Sequence, residues 1–268
     1  MLRKPLAFLK KDFLAESSYS LAFIFNFIGL LASILGYFFI DKLFGSRMVG
    51  HLEAFGVNYF SYVLLSMAFF GYVGIGLGSF SERIRTEQVQ GTLEAVLLTP
   101  TRISTILISL GLWNLLLATL DLSVYILLAI FLFKISFANI NILSSLVVFA
   151  LTIASFSGLG ILSACFIMIF KRGNPFGWFV ASLEGLFGGV YVPVTVLPAW
   201  MQLAAKFLPI TYAIRAIELA VYRGYTVKML SKEVSALLLF SAVLVPLSLF
   251  AFSYALKKSR REGTLAQY

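Results

Sequence analysis

Six long apolar stretches, separated by shorter polar segments, dominate this 268-residue sequence. Each contains between 20 and 31 residues, and a helix needs about 20 residues to cross the hydrocarbon core of a bilayer. Lipid offers the backbone no hydrogen-bond partners, so a span must be a helix or part of a closed barrel, and barrel strands are shorter and alternate. The pattern therefore predicts an all-α membrane protein with six transmembrane helices. The stretches are Leu21–Ile40, Val57–Phe80, Ile103–Phe133, Ile142–Phe170, Phe176–Val196 and Val234–Leu256.

The composition supports a membrane protein and argues against several other classes. Sixty per cent of the residues are hydrophobic and 12% are charged, whereas a soluble domain has about 25% charged residues. Only Asp121 and Glu184 place a charge inside the apolar stretches. With one cysteine, Cys165, and one histidine, His51, neither a disulfide framework nor a metal site is expected. A soluble enzyme, a secreted disulfide-rich domain and a disordered chain are therefore poor interpretations.

The basic residues predict the orientation of the spans, because cytoplasmic loops are enriched in Lys and Arg. With the N-terminus in the cytoplasm, 13 basic residues fall in inside segments and 8 in outside segments. Lys10–Lys11, Lys171–Arg172 and Lys257–Lys258 flank spans on the inside. We therefore expect a multi-pass protein of the cytoplasmic membrane with both termini inside. The net charge of +9 is interpreted as membrane orientation, not as nucleic-acid binding.

Two segments outside the spans have patterns of their own, within a single membrane domain that covers the whole chain. In residues 1–16, apolar side chains recur at helical spacing among Lys and Arg, which predicts an amphipathic helix in the cytoplasmic interface. In residues 197–233, Pro198 and Pro209 accompany apolar pieces that are too short to span. Together with Pro193, which should break the fifth span, they favour outer re-entrant or interfacial helices; an ordinary extracellular loop is the alternative.

The longest predicted cytoplasmic connection, residues 81–100, lies between the second and third spans. Ser79 and Glu82 have capping-box spacing, and Gly91 is a natural end for a first helical piece. The sequence then returns to an apolar helical pattern that ends at Pro100. A short charged helix, a glycine hinge and an apolar patch outside the bilayer favour a lever that contacts a soluble partner.

Two motifs stand on opposite sides of the predicted membrane. The first is Glu87-x-x-x-Gly91-Thr92-Leu93-Glu94 followed by Leu97-x-Thr99-Pro100; the second is Gly189-Val190-Tyr191-Val192-Pro193, then Leu197-Pro198-Ala199-Trp200, then Leu208-Pro209-Ile210-Thr211-Tyr212. In this order and topology they resemble the permease subunits of type-two ABC transporters, which are the membrane subunits of ABC exporters. The resemblance covers nearly the whole chain, including its length and its amphipathic N-terminus.

The resemblance implies a half-transporter. Two copies of the chain, or the chain and a close relative, would pair side by side above two cytoplasmic ABC ATPase subunits. A coupling helix seated in a cleft of the ATPase would include Glu87, Gly91, Thr92, Leu93 and Glu94; for the two glutamates, a solvated charged face is the alternative. The chain has no G-x-x-x-x-G-K-[ST] loop. ATP and Mg would therefore be bound by the partner ATPase, and no cofactor by this chain.

Glycines at four-residue spacing mark candidate close contacts between helices. Gly74 and Gly78 show this spacing in the second span, and Gly185 and Gly189 show it in the fifth. Small residues let membrane helices approach one another closely. These faces are expected to line the dimer seam or the substrate path, with packing inside one chain as the alternative.

The two intramembrane carboxylates need an explanation, because an ionisable group inside a bilayer is costly. Glu184 could contact a polar substrate head group or gate the path, or it could be a protonated or hydrogen-bonded structural carboxyl. Asp121 shares a helix face with Asn114, which favours a polar packing contact.

The expected function is ATP-driven export of a hydrophobic or amphipathic substrate, such as a drug, a lipid or a lipid-linked glycan, by alternating access. The chain itself is expected to be a transporter subunit without catalytic residues. One alternative is a nucleotide-independent channel or structural membrane protein. Another is an intramembrane enzyme, which would need Asp121 and Glu184 as a catalytic pair.

Overall fold

The computed structural model describes residues 20–91, 103–170 and 174–261, and every regular element in these ranges is helical. The all-helical fold is therefore confirmed for this part of the chain. The predicted interfacial helix of residues 1–16 lies outside the described residues. The α-helices are α1 (Ser20–Leu52), α2 (Tyr59–Val89), α3 (Ile103–Phe131), α4 (Ile142–Phe170), α5 (Pro175–Phe187), α6 (Ala199–Ala205), α7 (Pro209–Tyr222) and α8 (Ser231–Arg261); a 3₁₀ helix (Val194–Val196) stands between α5 and α6.

Four of these helices, α1, α2, α4 and α8, are long and apolar enough to cross a membrane. They correspond to the first, second, fourth and sixth predicted spans. The third predicted span also forms one helix, α3, of 29 residues, and Leu116–Phe131 is the apolar part of it whose side chains the structure describes. The chain is thus a multi-pass membrane protein, and the residues described support four spans by length and composition.

The first two helices run further than the apolar stretches predicted. The helix α1 continues past Ile40 to Leu52, so His51 stands in its last turn. The helix α2 continues past Phe80 to its end at Val89. The charged and polar residues beyond each apolar stretch include Arg, Glu, Gln and Lys, which are good helix formers. The backbone hydrogen bonds of each helix therefore continue beyond the end of its apolar stretch.

The fifth apolar stretch does not form a single spanning helix, which corrects the prediction for residues 176–196. The helix α5 has 13 residues, so it is about 20 Å long and shorter than a bilayer core of about 30 Å. It ends at Phe187, six residues before the break expected at Pro193. The physical reason lies in the two glycines that follow, because Gly188 closes the last turn and Gly189 takes a φ of 87°.

The helix α4 forms the centre of the bundle and packs most extensively against α8 and α2. Close approach to α8 depends on a glycine, since a Cβ on Gly158 would lie 2.9 Å from Leu244 Cβ and 3.0 Å from its carbonyl carbon. Nearby, the buried Ser155 Oγ donates to the carbonyl of Leu237 on α8 at 3.3 Å. The helix α7 is buried on nearly all sides and packs against α4, α8 and α2.

Three connections between helices meet at one end of the bundle, which we name the loop end. Arg223, which follows α7, donates from Nη2 to the carbonyl of Glu53 at 2.6 Å and from Nε to that of Ala54 at 3.2 Å. The N–H of Asn141 donates to the carbonyl of Ala220 at 2.9 Å. The loop end therefore gathers connections that the positive-inside pattern assigns to one side of the membrane. They are residues 53–58, 132–141 and 223–230.

Candidate functional site

The end of α2 carries the described part of the predicted coupling motif; Thr92, Leu93 and Glu94 lie outside the described residues. Glu87 is 2% exposed, which argues against a solvated charged face at this position. Gly91 has a φ of 69°, in the left-handed region that commonly follows a helix end. The separate short helix predicted from the capping-box spacing is wrong, because α2 runs unbroken from the loop end to just before Gly91.

Asn174 joins three helices at the end of the bundle opposite the loop end. Its Oδ1 accepts hydrogen bonds from the Gly177 N–H at 2.9 Å and from Ser163 Oγ of α4. Its Nδ2 donates to Ser81 Oγ of α2 at 2.8 Å. Asn174 is also the N-cap of α5, with Pro175 as the first helical residue. The start of α5 is thus fixed to both α2 and α4.

Glu184 connects α5 to α7. Its side chain is buried, and Oε2 accepts a hydrogen bond from the Ile210 N–H at 3.2 Å. Ile210 follows Pro209 in the first turn of α7, where helical N–H groups lack partners within their own helix. A carboxylate also interacts favourably with the positive end of a helix dipole. The arrangement is that of the structural carboxyl, one of the two roles considered for Glu184.

The turn after α5 is held against the first turn of α2. Tyr62 Oη donates to the carbonyl of Gly189 at 2.5 Å, and Tyr59 Oη donates to that of Tyr191 at 3.1 Å. A Cβ on Gly188 would collide with Ile210 Cγ2 and with the carbonyl oxygen of Glu184, so a larger residue does not fit there. Since α5 has already ended, Gly189 lies in a turn and does not share a helix with a second glycine as its sequence spacing predicted.

Each of the three prolines of the predicted outer segment begins a helical element. Pro193 precedes the 3₁₀ helix, Pro198 precedes α6, and Pro209 is the first residue of α7. Proline suits these positions because its φ is fixed near a helical value. The N–H that it lacks would have no partner within the helix at this point, so no hydrogen bond is lost. With 7 and 14 residues, α6 and α7 are too short to span a bilayer.

The remaining candidate glycines differ in their surroundings. A Cβ on Gly185 would contact Phe70 Cζ of α2 at 3.4 Å, so this glycine packs within the chain. No atom of the described residues would lie within 4 Å of a Cβ built on Gly74 or on Gly78. Both glycines are half-buried, and the described residues leave room for a Cβ on this face of α2.

Glu218 is a buried carboxyl that the sequence analysis did not single out. It lies on α7, where Oε1 accepts a hydrogen bond from Ser66 Oγ of α2 at 2.9 Å. Its Oε2 has no partner among the described residues, and burial raises the pKa of Glu218 well above its ordinary value. Its spacing from Ile214 and Ile217 puts it on the apolar face of α7, which is the signal that would have identified it.

The structure places the two intramembrane carboxylates in different parts of the fold. Asp121 lines a cleft between α1, α2 and α3, whereas Glu184 lies at the junction of α5 and α7. They do not form the pair that an intramembrane enzyme would need. Within the described ranges, no group of three or more His, Cys, Asp or Glu side chains is placed to hold a metal ion.

Comparison with known proteins identifies one family. Residues 9–222 match the sequence model of the family described as ABC-2 type transporter. The match covers α1 to α7 and includes the coupling motif, Asn174, Glu184 and Glu218. No curated protein matches the chain at a significant level.

Proposed function

Because the chain belongs to the ABC-2 type transporter family, and is thus the membrane subunit of an ABC transporter that works with an ATPase, we propose that it exports hydrophobic or amphipathic substrates. The substrate is a drug, a lipid or a lipid-linked glycan, and it crosses the cytoplasmic membrane. Two ATPase copies bind on the cytoplasmic side and hold ATP and Mg. A second permease copy, identical or closely related, completes the pathway. Closure of the ATPases rocks the two permeases and gives alternating access.

The observation that carries this proposal is the continuity of α2. One helix of 31 residues runs from the loop end to Val89 and includes Glu87, the first residue of the coupling motif. Gly91, in the left-handed conformation, separates this helix from Thr92–Glu94. A force that the ATPase applies to the motif therefore reaches a rigid helix through a single hinge. We assign the coupling role to Glu87, Gly91, Thr92, Leu93 and Glu94 on this basis.

A relay through α5 supports transmission to the far side of the membrane. Asn174 fixes the start of α5 to Ser81, eight residues before the end of α2. Near the other end of α5, Glu184 holds the first turn of α7 through the Ile210 N–H. A shift of the inner end of α2 therefore moves α5, and α5 moves the segment that contains α6 and α7.

In the proposed topology the chain crosses the membrane six times, with both termini in the cytoplasm and the loop end outside; the fifth crossing is made by α5 together with the turn that follows it. The gathering of residues 53–58, 132–141 and 223–230 at one end supports a common side for these connections. In this topology α3 completes a span, α5 enters from the cytoplasmic side, and α6 and α7 form the outer re-entrant segment. Residues 1–16 form the interfacial helix.

The second permease copy would cover apolar surface that the described part of this chain leaves exposed. The face of α2 with Gly74 and Gly78 is half-buried and has room for atoms of a partner next to these glycines. On α5, Trp178, Phe179 and Leu186 are exposed, although the same helix carries the buried Glu184. A helix with one buried face and one exposed aromatic face is suited to a seam between two copies.

The proposal is tested by purifying the tagged chain from its native membrane and identifying a co-purifying P-loop ATPase. The complex is then reconstituted in vesicles, and ATP hydrolysis and substrate export are measured together. Gly91→Pro should leave the protein inserted and abolish export while hydrolysis continues, because proline cannot adopt a φ of 69°.

A matched variant separates coupling from folding. Gly91→Asn should retain export, since Asn tolerates the left-handed conformation better than other non-glycine residues. Glu94→Lys should uncouple export from hydrolysis in the same way as Gly91→Pro. Unchanged export in both Gly91→Pro and Glu94→Lys would refute the coupling role, and absence of any ATPase would favour a nucleotide-independent protein.

A further inference from the structure

The second half of α8 carries an exposed stripe of apolar and aromatic side chains. Its members recur at steps of three and four residues, which places them on one face of the helix. They are Val243, Leu247, Phe250 and Tyr254. The opposite face is buried, because Phe252 and Ala255 pack in one cluster with residues of α4 and α2. In one copy of the chain the stripe therefore faces lipid.

Basic side chains continue this stripe at the end of α8. Lys257, Lys258 and Arg261 are exposed. They follow the last aromatic residue of the stripe by three, four and seven residues, which keeps them on the same face. Ser259, which lies between them in the sequence, is buried, and its Oγ donates to the carbonyl of Met168 of α4 at 3.5 Å. The last turn of α8 is thus held against the bundle, and its basic residues stand on the lipid side.

These basic residues lie at the depth of the lipid headgroups. The apolar part of α8, Val234–Leu256, directly precedes Lys257. As a helix it is about 34 Å long, which is close to the thickness of about 30 Å of a bilayer core. Tyr254 stands one turn earlier, where membrane proteins place aromatic side chains at the interface. Lys and Arg side chains extend from such positions toward the headgroups while their aliphatic parts stay on apolar surface.

The charge of this turn is not compensated within the described part of the chain. No carboxylate of the described residues forms an ion pair with any of the three basic side chains, whereas on α7 Arg215 pairs with Glu233 at 3.2 Å. In the sequence, residues 257–262 contain four basic residues and one acidic residue, Glu262. A cluster of four or more Lys and Arg directly after a membrane helix attracts anionic lipids.

We propose that the end of α8 binds the headgroup of an anionic phospholipid. Lys257, Lys258 and Arg261 hold the phosphate, and an acyl chain of the same lipid lies along Phe250 and Tyr254. The planar guanidinium of Arg261 can donate to two phosphate oxygens at once, and the two ammonium groups add positive charge. The lipid belongs to the cytoplasmic leaflet in the proposed topology. Binding itself requires only that α8 crosses the membrane.

Lipid binding is measured by native mass spectrometry of the purified full chain in detergent, without ATPase. The probes are dioctanoyl phosphatidylglycerol and dioctanoyl phosphatidylcholine, which share the phosphate and the acyl chains and differ in net charge. The wild type should bind the phosphatidylglycerol about tenfold more tightly, because each basic residue near the membrane surface contributes several-fold. The triple variant Lys257→Gln/Lys258→Gln/Arg261→Gln should lose this preference and bind the phosphatidylcholine as the wild type does.

Two further variants test whether position and charge are decisive. Lys206→Gln/Lys228→Gln/Lys232→Gln removes three exposed charges from the other side of the proposed membrane and should keep the preference. Arg261→Lys, with the two lysines of α8 retained, keeps every charge and should also keep it. Inorganic phosphate at the concentration of the lipid should not displace the lipid, because it has no acyl chain to contact the stripe.

Equal affinity of the wild type for the two lipids would overturn the proposal, and so would displacement of the lipid by inorganic phosphate. An equal loss of preference in the Lys206, Lys228 and Lys232 variant would show that no site at α8 is responsible. If the end of α8 binds an acidic surface of the ATPase instead, the α8 triple variant keeps its lipid preference and loses the co-purifying ATPase. Lipid preference without export from reconstituted vesicles supports the site and counts against the export function only.

Discussion

Glu184 and Ile210 lie 26 residues apart in the sequence, yet the carboxylate of the first accepts the backbone N–H of the second at 3.2 Å. A side chain on one short helix thus supplies the hydrogen-bond acceptor for a backbone N–H in the first turn of another. Because Leu208, the N-cap of α7, makes no side-chain capping bond, Glu184 supplies the acceptor from outside the helix. The junction of α5 and α7 depends on this bond and on the close contact of Gly188 with Ile210.

Removing the Glu184 carboxyl should destabilise this junction. In Glu184→Ala the buried Ile210 N–H loses its partner, and an unsatisfied buried donor costs about 1–3 kcal/mol. Glu184→Gln keeps an acceptor oxygen and should lose less. Thermal unfolding of the purified proteins in detergent measures their stabilities, which should decrease from the wild type to Glu184→Gln and then to Glu184→Ala. A stability of Glu184→Ala equal to that of the wild type would contradict the capping role.

Asn174→Ala should loosen the opposite end of α5. The variant loses the helix cap and the bonds to Ser163 and Ser81, and loss of an N-cap alone costs about 0.5–2 kcal/mol. Asn174→Asp retains an acceptor for the Gly177 N–H and should be closer to the wild type, because Asp and Asn cap equally well. Thermal unfolding compares the two, and a larger loss in the Asp variant would show that the cap is not what matters.

Glu218 should make stability fall as pH rises. Burial raises the pKa of Glu218 in the folded state, so in the pH range above its ordinary value of 4.5 the folded chain holds a proton that the unfolded chain releases. Stability is then highest below this value and declines at higher pH. Glu218→Gln mimics the protonated carboxyl and should remove this part of the pH dependence. Unfolding of both proteins between pH 4 and pH 8 tests the difference, and identical pH profiles would contradict it.

Gly74→Leu and Gly158→Leu form a contrasting pair. At Gly74 no described atom lies within 4 Å of a new Cβ, whereas at Gly158 the Cβ and backbone of Leu244 lie within about 3 Å. Gly158→Leu should therefore disrupt α4–α8 packing, with a loss of about 1–3 kcal/mol or more from overpacking. Gly74→Leu should fold normally and weaken association of two permease copies. Light scattering in detergent measures the association. If Gly74→Leu associates as fully as the wild type, Gly74 does not lie in the seam between the two copies.

The helical fold and most helix positions could be predicted from the sequence, because apolar run length alone decides where a helix can lie in lipid. Ile142–Phe170 was predicted with the bounds that the structure shows. Where the prediction failed, backbone geometry was decisive: Gly188 and Gly189 end α5 inside an apolar stretch that hydropathy treats as continuous. Polar residues extended α1 and α2 for the converse reason, since they continue a helix beyond its apolar part.

The residues of the candidate site could likewise be predicted from the sequence only in part. The motif around Gly91, the prolines that start helices and the two intramembrane carboxylates could all be found in the sequence, because each is a local departure from a repetitive pattern. The hydrogen-bond partners of the site residues could not be found in the sequence. That Asn174 reaches Ser81, that Glu184 reaches Ile210 and that Ser66 reaches Glu218 are contacts between distant parts of the chain.

By itself, then, the sequence determined a multi-pass helical membrane protein, and its motifs pointed to the family that residues 9–222 match. The tertiary structure alone decided that Glu184 caps a helix while Asp121 lines a cleft. The physical reason is that hydropathy reports only the cost of placing a group in lipid. The contacts that offset this cost, such as the hydrogen bond between Glu184 and the Ile210 N–H, depend on which helices pack together.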